Sequence, residues 1–336
     1  MKIVIYPGFE QERLDAILET TAGRAVIVNC ETPADAAQAV ADADGYLGKM
    51  TPEILANASQ LQWIQAFTVS LEHYIFPALI EHPCTLTNMR GLFGDVIADQ
   101  VMGYVISFAR NLHIYTRQQM LHRYEPLGGE SSRVNNMYGP GVVNNMDRAT
   151  IFLPETTMLV VGMGAIGQEI ARRAMAFGIT VRAVDEHPDR VSAPAGVVSV
   201  AGTDQLHDEL ARADWVVIAA PHTPHTEGWF NADVFRAMKP SGYLINIGRG
   251  AIVVLDDLAQ ALQSRQIAGA ALDVFEIEPL PAENPLWDMQ NCIITPHTAG
   301  YSTAIAGRHL QTMRENLDKF LSGKPLVNVV DKRVWY

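Results

Sequence analysis

Three short segments in the second half of the chain carry side chains suited to moving a hydride and a proton. Ile245-Asn246-Ile247-Gly248-Arg249-Gly250 sets an arginine just past an apolar, strand-like run. Asp273-Val274-Phe275-Glu276-Ile277-Glu278-Pro279 sets carboxylates past a second run, and Thr295-Pro296-His297-Thr298-Ala299-Gly300 sets a histidine past a third. Reducing a carbonyl beside a carboxylate needs a hydride on carbon and a proton on oxygen. Histidine is the side chain that gives and takes a proton near neutral pH. A carboxylate beside it favours the imidazolium form. The planar fork of Arg249 suits a substrate carboxylate and a polarised carbonyl. In an open α/β sheet, ligands bind at the carboxyl ends of strands, so three such ends can converge on one crevice.

A nucleotide signal precedes these segments. Gly162-Met163-Gly164-Ala165-Ile166-Gly167 is a GxGxxG run between the strand-like TMLVV and the helical QEIARRAMAF. Gly162 permits a tight turn, Gly164 lets backbone approach a pyrophosphate, and Gly167 lets helix and strand pack closely. The N–H groups of the opening helix turn, around Ala165 and Ile166, face phosphate with a partial positive charge. Asp185 closes the next strand, 18 residues after Gly167, where a carboxylate accepts hydrogen bonds from an adenosine ribose. A 2′-phosphate there meets Asp185 and Glu186, with only Arg190 to help, so NAD is favoured over NADP. His222 and His225 in PHTPHT resemble a metal pair, but no Cys or carboxylate cluster accompanies them, so no metal is expected.

The elements that must position these groups are legible as βα alternation. Residues 3–6, 25–29, 45–48, 61–69 and 85–87 read as strands of a first series. Pro33 and Pro52 open helices after the caps Thr32 and Thr51. Residues 94–120 read as one long helix. A second series has strands at 157–161, 180–184, 215–219, 243–247, 269–274 and 292–295, the size of a full dinucleotide-binding sheet. A helix over 302–321 follows, and the β-prone 326–330 returns to the first domain. The fold class is α/β, with two doubly wound parallel sheets. The Gly- and Asn-rich stretch 127–149 lacks periodicity and reads as an arm over a neighbouring subunit, a lid, or equally a plain surface loop.

Composition bounds the function. The 336 residues carry 25 Lys and Arg against 37 Asp and Glu, a net charge of −12, which argues against nucleic-acid and anionic-membrane partners. With 48% hydrophobic and 18% charged residues the chain can bury a sizeable core. No apolar run is long enough for a membrane span. Three widely spaced cysteines predict no disulfide framework and a reducing, cytoplasmic compartment.

Over essentially its whole length the sequence resembles the D-isomer-specific 2-hydroxyacid dehydrogenase family. The resemblance is carried by GMGAIG, AAPHTPHTEGWF, MKPSGYLINIGRGAIV, GAALDVFEIEPLP and ITPHTAG. It implies Arg249, Glu278 and His297 as the catalytic set, with Asp273 near the nicotinamide carboxamide. Pro221, His222, Ile247 and Gly300 fall on its cofactor side, beside the fingerprint residues, Arg249 and His297. On the substrate side, LQWIQAFTVSLEHY puts Val69-Ser70 where the family often has Ala-Gly, whose N–H groups hold the substrate carboxylate. Val69, Ser70 and Leu71 are therefore candidate substrate residues, and the lost glycine adds a Cβ there.

The resemblance further implies a flavodoxin-like substrate domain, residues 1–97 with 300–336, and a dinucleotide-binding domain, 98–299, around a cleft. It implies a homodimer and reduction of a small 2-oxo acid, of the glyoxylate or hydroxypyruvate kind. Phosphite dehydrogenases and NAD-sensing corepressors share the same residues and stand as alternatives. Formate dehydrogenases carry Gln at the position of Glu278, which argues against that branch.

Overall fold

The computed structural model describes residues 1–133 and 141–335. The chain divides into two compact units, Met1–Leu92 with Ser302–Tyr336, and Phe93–Tyr301.

The first unit is built on five parallel strands: β1 (Lys2–Tyr6), β2 (Val26–Asn29), β3 (Gly45–Gly48), β4 (Trp63–Gln65) and β5 (Thr85–Thr87). Their order, β2-β1-β3-β4-β5, is the flavodoxin-like one. Thr32 and Thr51 cap their helices as the sequence suggests, accepting hydrogen bonds from Asp35 N and Ile54 N, with Pro33 and Pro52 opening the first turns. The strand expected over 61–69 is shorter. After Gln65 the chain makes one more ladder bond, Ala66 N to Thr87 O at 2.8 Å, and then turns into a loop. The helix Ile305–Leu321 packs on this sheet. Its fully buried Asn316 donates to Gln65 Oε1 at 2.8 Å and accepts from Val327 N at 2.8 Å. The tail returns to β5 as an isolated antiparallel bridge between Thr87 and Val329 rather than as a strand.

The second unit has seven parallel strands: β6 (Thr157–Val161), β7 (Thr180–Val184), β8 (Val200–Ala201), β9 (Trp215–Ile218), β10 (Tyr243–Asn246), β11 (Gly269–Leu272) and β12 (Cys292–Ile294). The order β12-β11-β10-β9-β6-β7-β8 reverses at β6, with β9 on one side and β7 on the other. Apolar clusters cover both faces. That is why β9 and β11 are buried throughout rather than alternating. The two-residue β8 carries too little pattern to be read from sequence, yet Ala201 O holds Asp185 N at 3.0 Å.

The long helix expected over 94–120 is two helices, Gly94–Ala109 and Leu112–Met120. Asn111 breaks it in a left-handed conformation (φ 58°), and its amide donates to Ala149 O at 2.6 Å. Asn tolerates that conformation better than most residues, and here its side chain is held by a partner distant in sequence, which hydrophobic periodicity does not register. Of the segment 127–149, residues 134–140 lie outside the described residues. Its described end forms a short helix, Asn145–Arg148, with Asn144 and Asp147 in a capping box.

Candidate functional site

The fingerprint loop joins β6 to the helix Ala165–Ala176. Gly162 has φ +94°, and a Cβ on it would lie 2.7 Å from Ala220 N. A Cβ on Gly167 would lie 2.1 Å from Gly162 O, so that glycine is required by helix–strand contact. Gly164 differs: it caps the helix, and a Cβ there would meet nothing within 4 Å. Its bare backbone faces open space. The first intrahelical bond is Gln168 N to Gly164 O, so the N–H groups of Ala165, Ile166 and Gly167 are the helix's uncommitted donors. That cradle has the donors and the room a pyrophosphate needs.

Asp185 stands at the end of β7, half-buried. One carboxylate oxygen accepts from Met163 N at 2.8 Å, and the other from His187 N at 2.9 Å. The carboxylate thus braces the fingerprint loop, and each oxygen has a further lone pair. Glu186 follows it, exposed. Past β9, Pro221 O accepts from Thr226 Oγ1, while the Nε2 of His222 is buried without a hydrogen bond. Its nearest charged neighbour is Glu227, at 3.9 Å. Among the described residues, no group of three His, Cys, Asp or Glu is gathered as a metal site would need.

The chemical groups follow at the ends of β10, β11 and β12. Buried Asn246 shapes the first loop: it accepts from Gly248 N at 3.1 Å and donates to Arg249 O at 3.0 Å. Arg249 is half-buried, one guanidinium nitrogen donating to Gly248 O at 2.8 Å. Ile247 is 6% exposed. A Cβ on Gly250 would fall 1.8 Å from the Phe275 carbonyl carbon, so the arginine loop lies directly on the backbone of the next loop.

That next loop carries Glu278. One of its oxygens accepts from Phe275 N at 2.9 Å, and the other lies 2.8 Å from His297 Nδ1. A carboxylate only accepts, so Nδ1 carries the proton of this bond. Nε2 has no protein partner among the described residues, and about half of the histidine side chain is exposed. It is the atom left to exchange a proton with a ligand. His297 holds φ +54°, a left-handed conformation rare for a non-glycine residue. Its N–H donates to Asp273 O at 2.8 Å.

Asp273 is 2% exposed. Its carboxylate accepts from Thr295 Oγ1 at 2.5 Å, Thr298 N at 2.9 Å and Ala299 N at 3.0 Å. The resemblance puts this residue beside a carboxamide; here both oxygens are engaged within the protein, on the loop that carries His297. Gly300 ends that loop, where a Cβ would be 3.3 Å from the Phe93 ring. Asn246 and Thr295 escaped the sequence reading. The only available signal was a polar residue closing a buried strand.

In the first unit, the loop after β4 is tied down by Asn88, whose amide donates to Val69 O at 2.9 Å, and by Thr68 Oγ1, which donates to Ser70 O at 2.7 Å. The side chain of Leu71 points into the core. It is 2% exposed and packs in the core with Tyr74, so only its backbone can meet a ligand.

Comparison with known proteins identifies the family. The family profile described as "D-isomer specific 2-hydroxyacid dehydrogenase, NAD binding domain" matches residues 102–299, more than half of the chain. The chain belongs to this family. Among solved structures, a D-isomer specific 2-hydroxyacid dehydrogenase family protein from Aeromonas salmonicida is 28% identical, with a TM-score of 0.74 over 98% of this chain and 99% of that one. The NADPH-dependent glyoxylate/hydroxypyruvate reductase of Sinorhizobium meliloti, in complex with NADP and sulfate, is 25% identical, with a TM-score of 0.76 over 100% and 99%. Glyoxylate/hydroxypyruvate reductase A of Serratia proteamaculans is 28% identical over 84% of each chain. This dehydrogenase therefore carries an NAD(P)-binding domain, and Arg249, Glu278 and His297 stand on the loops that follow three of its strands. Among its described residues, no helix is long and apolar enough to cross a membrane.

Proposed function

We propose that this dehydrogenase reduces a small 2-oxo acid, of the glyoxylate or hydroxypyruvate kind, with His297 as the acid/base. The carrying observation is the 2.8 Å contact between His297 Nδ1 and Glu278, which leaves Nε2 without a protein partner among the described residues. The coenzyme would be held by Gly162, Gly164, Ala165, Ile166 and Gly167 at its phosphates and by Asp185 at its ribose. Pro221, His222, Ile247 and Gly300 would lie toward its other end, while Asp273, its carboxylate engaged by Thr295, Thr298 and Ala299, would act on the loop that carries His297. When bound, the nicotinamide ring supplies or accepts the hydride.

The chain's own groups handle the rest. Glu278, fixed by Phe275 N, orients the imidazole through its bond to Nδ1. Protonated Nε2 then donates to the carbonyl oxygen as that oxygen gains charge, and in the reverse direction bare Nε2 takes the hydroxyl proton. Arg249 binds the carboxylate and polarises the carbonyl. Val69 and Ser70 are proposed to help hold the substrate carboxylate.

NAD is the proposed coenzyme, because Asp185 is followed by Glu186 and a 2′-phosphate would face two negative charges. The named neighbour with NADP makes this a question for measurement. A panel of 2-oxo acids, and of phosphite in the oxidative direction, with NADH, NADPH and NAD tests the whole reading. Turnover of phosphite but of no 2-oxo acid overturns it, as does tight NADH binding without any turnover.

A homodimer is proposed from apolar exposure in the second unit. The helix Leu112–Met120 buries no residue, and Met120, Leu121 and Tyr124 are 78%, 64% and 90% exposed. Light scattering with size exclusion tests this, and a monomeric mass overturns it.

A further inference from the structure

We propose that Tyr104 and Thr295 are positioning residues for His297, acting through buried Asp273. This rests on the reading of His297 as the acid/base.

Tyr104 lies on the helix Gly94–Ala109 and is 3% exposed. Its hydroxyl is 2.5 Å from Thr295 Oγ1, and Thr295 Oγ1 donates to Asp273 Oδ1 at 2.5 Å. The polarity of this relay is fixed by its end. An ionised carboxylate can only accept, so the threonine hydroxyl must donate to it, and the phenol must then donate to the threonine. Burial pushes the Tyr104 phenol above its ordinary value of 10.0, which keeps it a donor.

The relay's target is the loop rather than the coenzyme. Asp273 takes two further bonds from Thr298 N and Ala299 N, and its carbonyl takes the N–H of His297. Four contacts from one residue thus surround a histidine whose backbone sits at φ +54°. A left-handed histidine is held by its surroundings rather than by its own preference. Asp273 is 2% exposed, and the three donors on its carboxylate satisfy it in the interior. Removing the threonine hydroxyl takes away one of its three donors and frees the loop on the side where His297 must stay aligned with Glu278.

The test uses Thr295→Val, Thr295→Ser and Tyr104→Phe in the full-length enzyme. Thr295→Val lowers kcat by about ten- to a hundredfold, the size of effect produced by a small misplacement of a reacting group. NADH Kd stays within about twofold, and Thr295→Ser, which keeps the hydroxyl, restores most of the loss. Tyr104→Phe falls between. The His297 imidazole resonances, assigned with a His297→Asn variant, move in Thr295→Val and Tyr104→Phe. That readout needs no turnover, so it separates failure of the relay from failure of the proposed reaction. The proposal is overturned if the variants lower only the melting temperature, with kcat, its pH profile and the His297 resonances unchanged. It is equally overturned if NADH Kd weakens in step with kcat, because Asp273 then serves the coenzyme directly.

Discussion

Replacing Asp185 by alanine separates its two jobs. In the structure one oxygen braces Met163 N at 2.8 Å and the other His187 N at 2.9 Å. In the proposed complex the same carboxylate holds the ribose hydroxyls of NAD. A hydrogen bond to a charged group contributes about 1.5–3 kcal/mol, so NAD affinity falls by roughly ten- to a hundredfold. For NADP the sign reverses. Two charges about 4 Å apart repel by roughly 1 kcal/mol in water and 4 kcal/mol near a protein surface. Half-buried Asp185 lies between these limits. The gap between the two coenzymes therefore narrows by about 2.5–7 kcal/mol, roughly seventyfold or more in the ratio of Kd values. Asp185→Asn keeps the size and one acceptor while removing the charge, which isolates the electrostatic part. Fluorescence titration with NADH and NADPH reads both constants. If Asp185→Ala weakens both coenzymes equally and Asp185→Asn weakens neither, the residue only braces the fingerprint, and the argument for NAD fails.

Other perturbations follow from the same geometry. Glu278→Gln weakens the 2.8 Å bond that orients His297, so kcat for reduction falls by about tenfold or more while NADH Kd changes little; an unchanged kcat refutes the pairing. Gly250→Ala drives a Cβ into the Phe275 carbonyl carbon at 1.8 Å, costing about 1–3 kcal/mol of stability by overpacking. A melting temperature unchanged from wild type would show that the two loops do not press together. Burial holds His309 and His113 below the ordinary value of 6.5. The unfolded chain therefore takes up their protons first, and stability present above about pH 6.5 is lost as pH falls below it. Thermal unfolding at pH 7.5 and 5.5 shows the drop. His309→Gln, which can still donate to Phe67 O, lessens it; a steeper drop in that variant contradicts the assignment.

Strands and fingerprint were legible because parallel strands buried on both faces leave short apolar runs between capped helices. Thr32 and Thr51 announce their helices by residue type alone. The GxGxxG run is equally legible because each glycine answers a separate steric demand, and those demands are visible at Gly162 and Gly167. What stayed hidden depends on partners distant in sequence. Asn111 ends a helix by bonding to Ala149, 38 residues away. The two residues of β8 have no period to detect. Thr295 looks like any β-branched residue closing a strand until the fold sets Tyr104, 191 residues away, beside it. Glu278 and His297 were found through a resemblance of ordered motifs. Their bond, and the Phe275 N–H that fixes the carboxylate, are properties of the folded loops.

The account stands on proton transfer at Nε2 of His297. The most direct measurement is the steady-state rate of NADH oxidation with glyoxylate or hydroxypyruvate, for wild type and for His297→Gln, alongside NADH Kd for both. The account predicts turnover by the wild type, a loss of about 10²- to 10⁴-fold in kcat for the variant, and NADH affinity little changed. A His297→Gln enzyme that keeps wild-type kcat would contradict it.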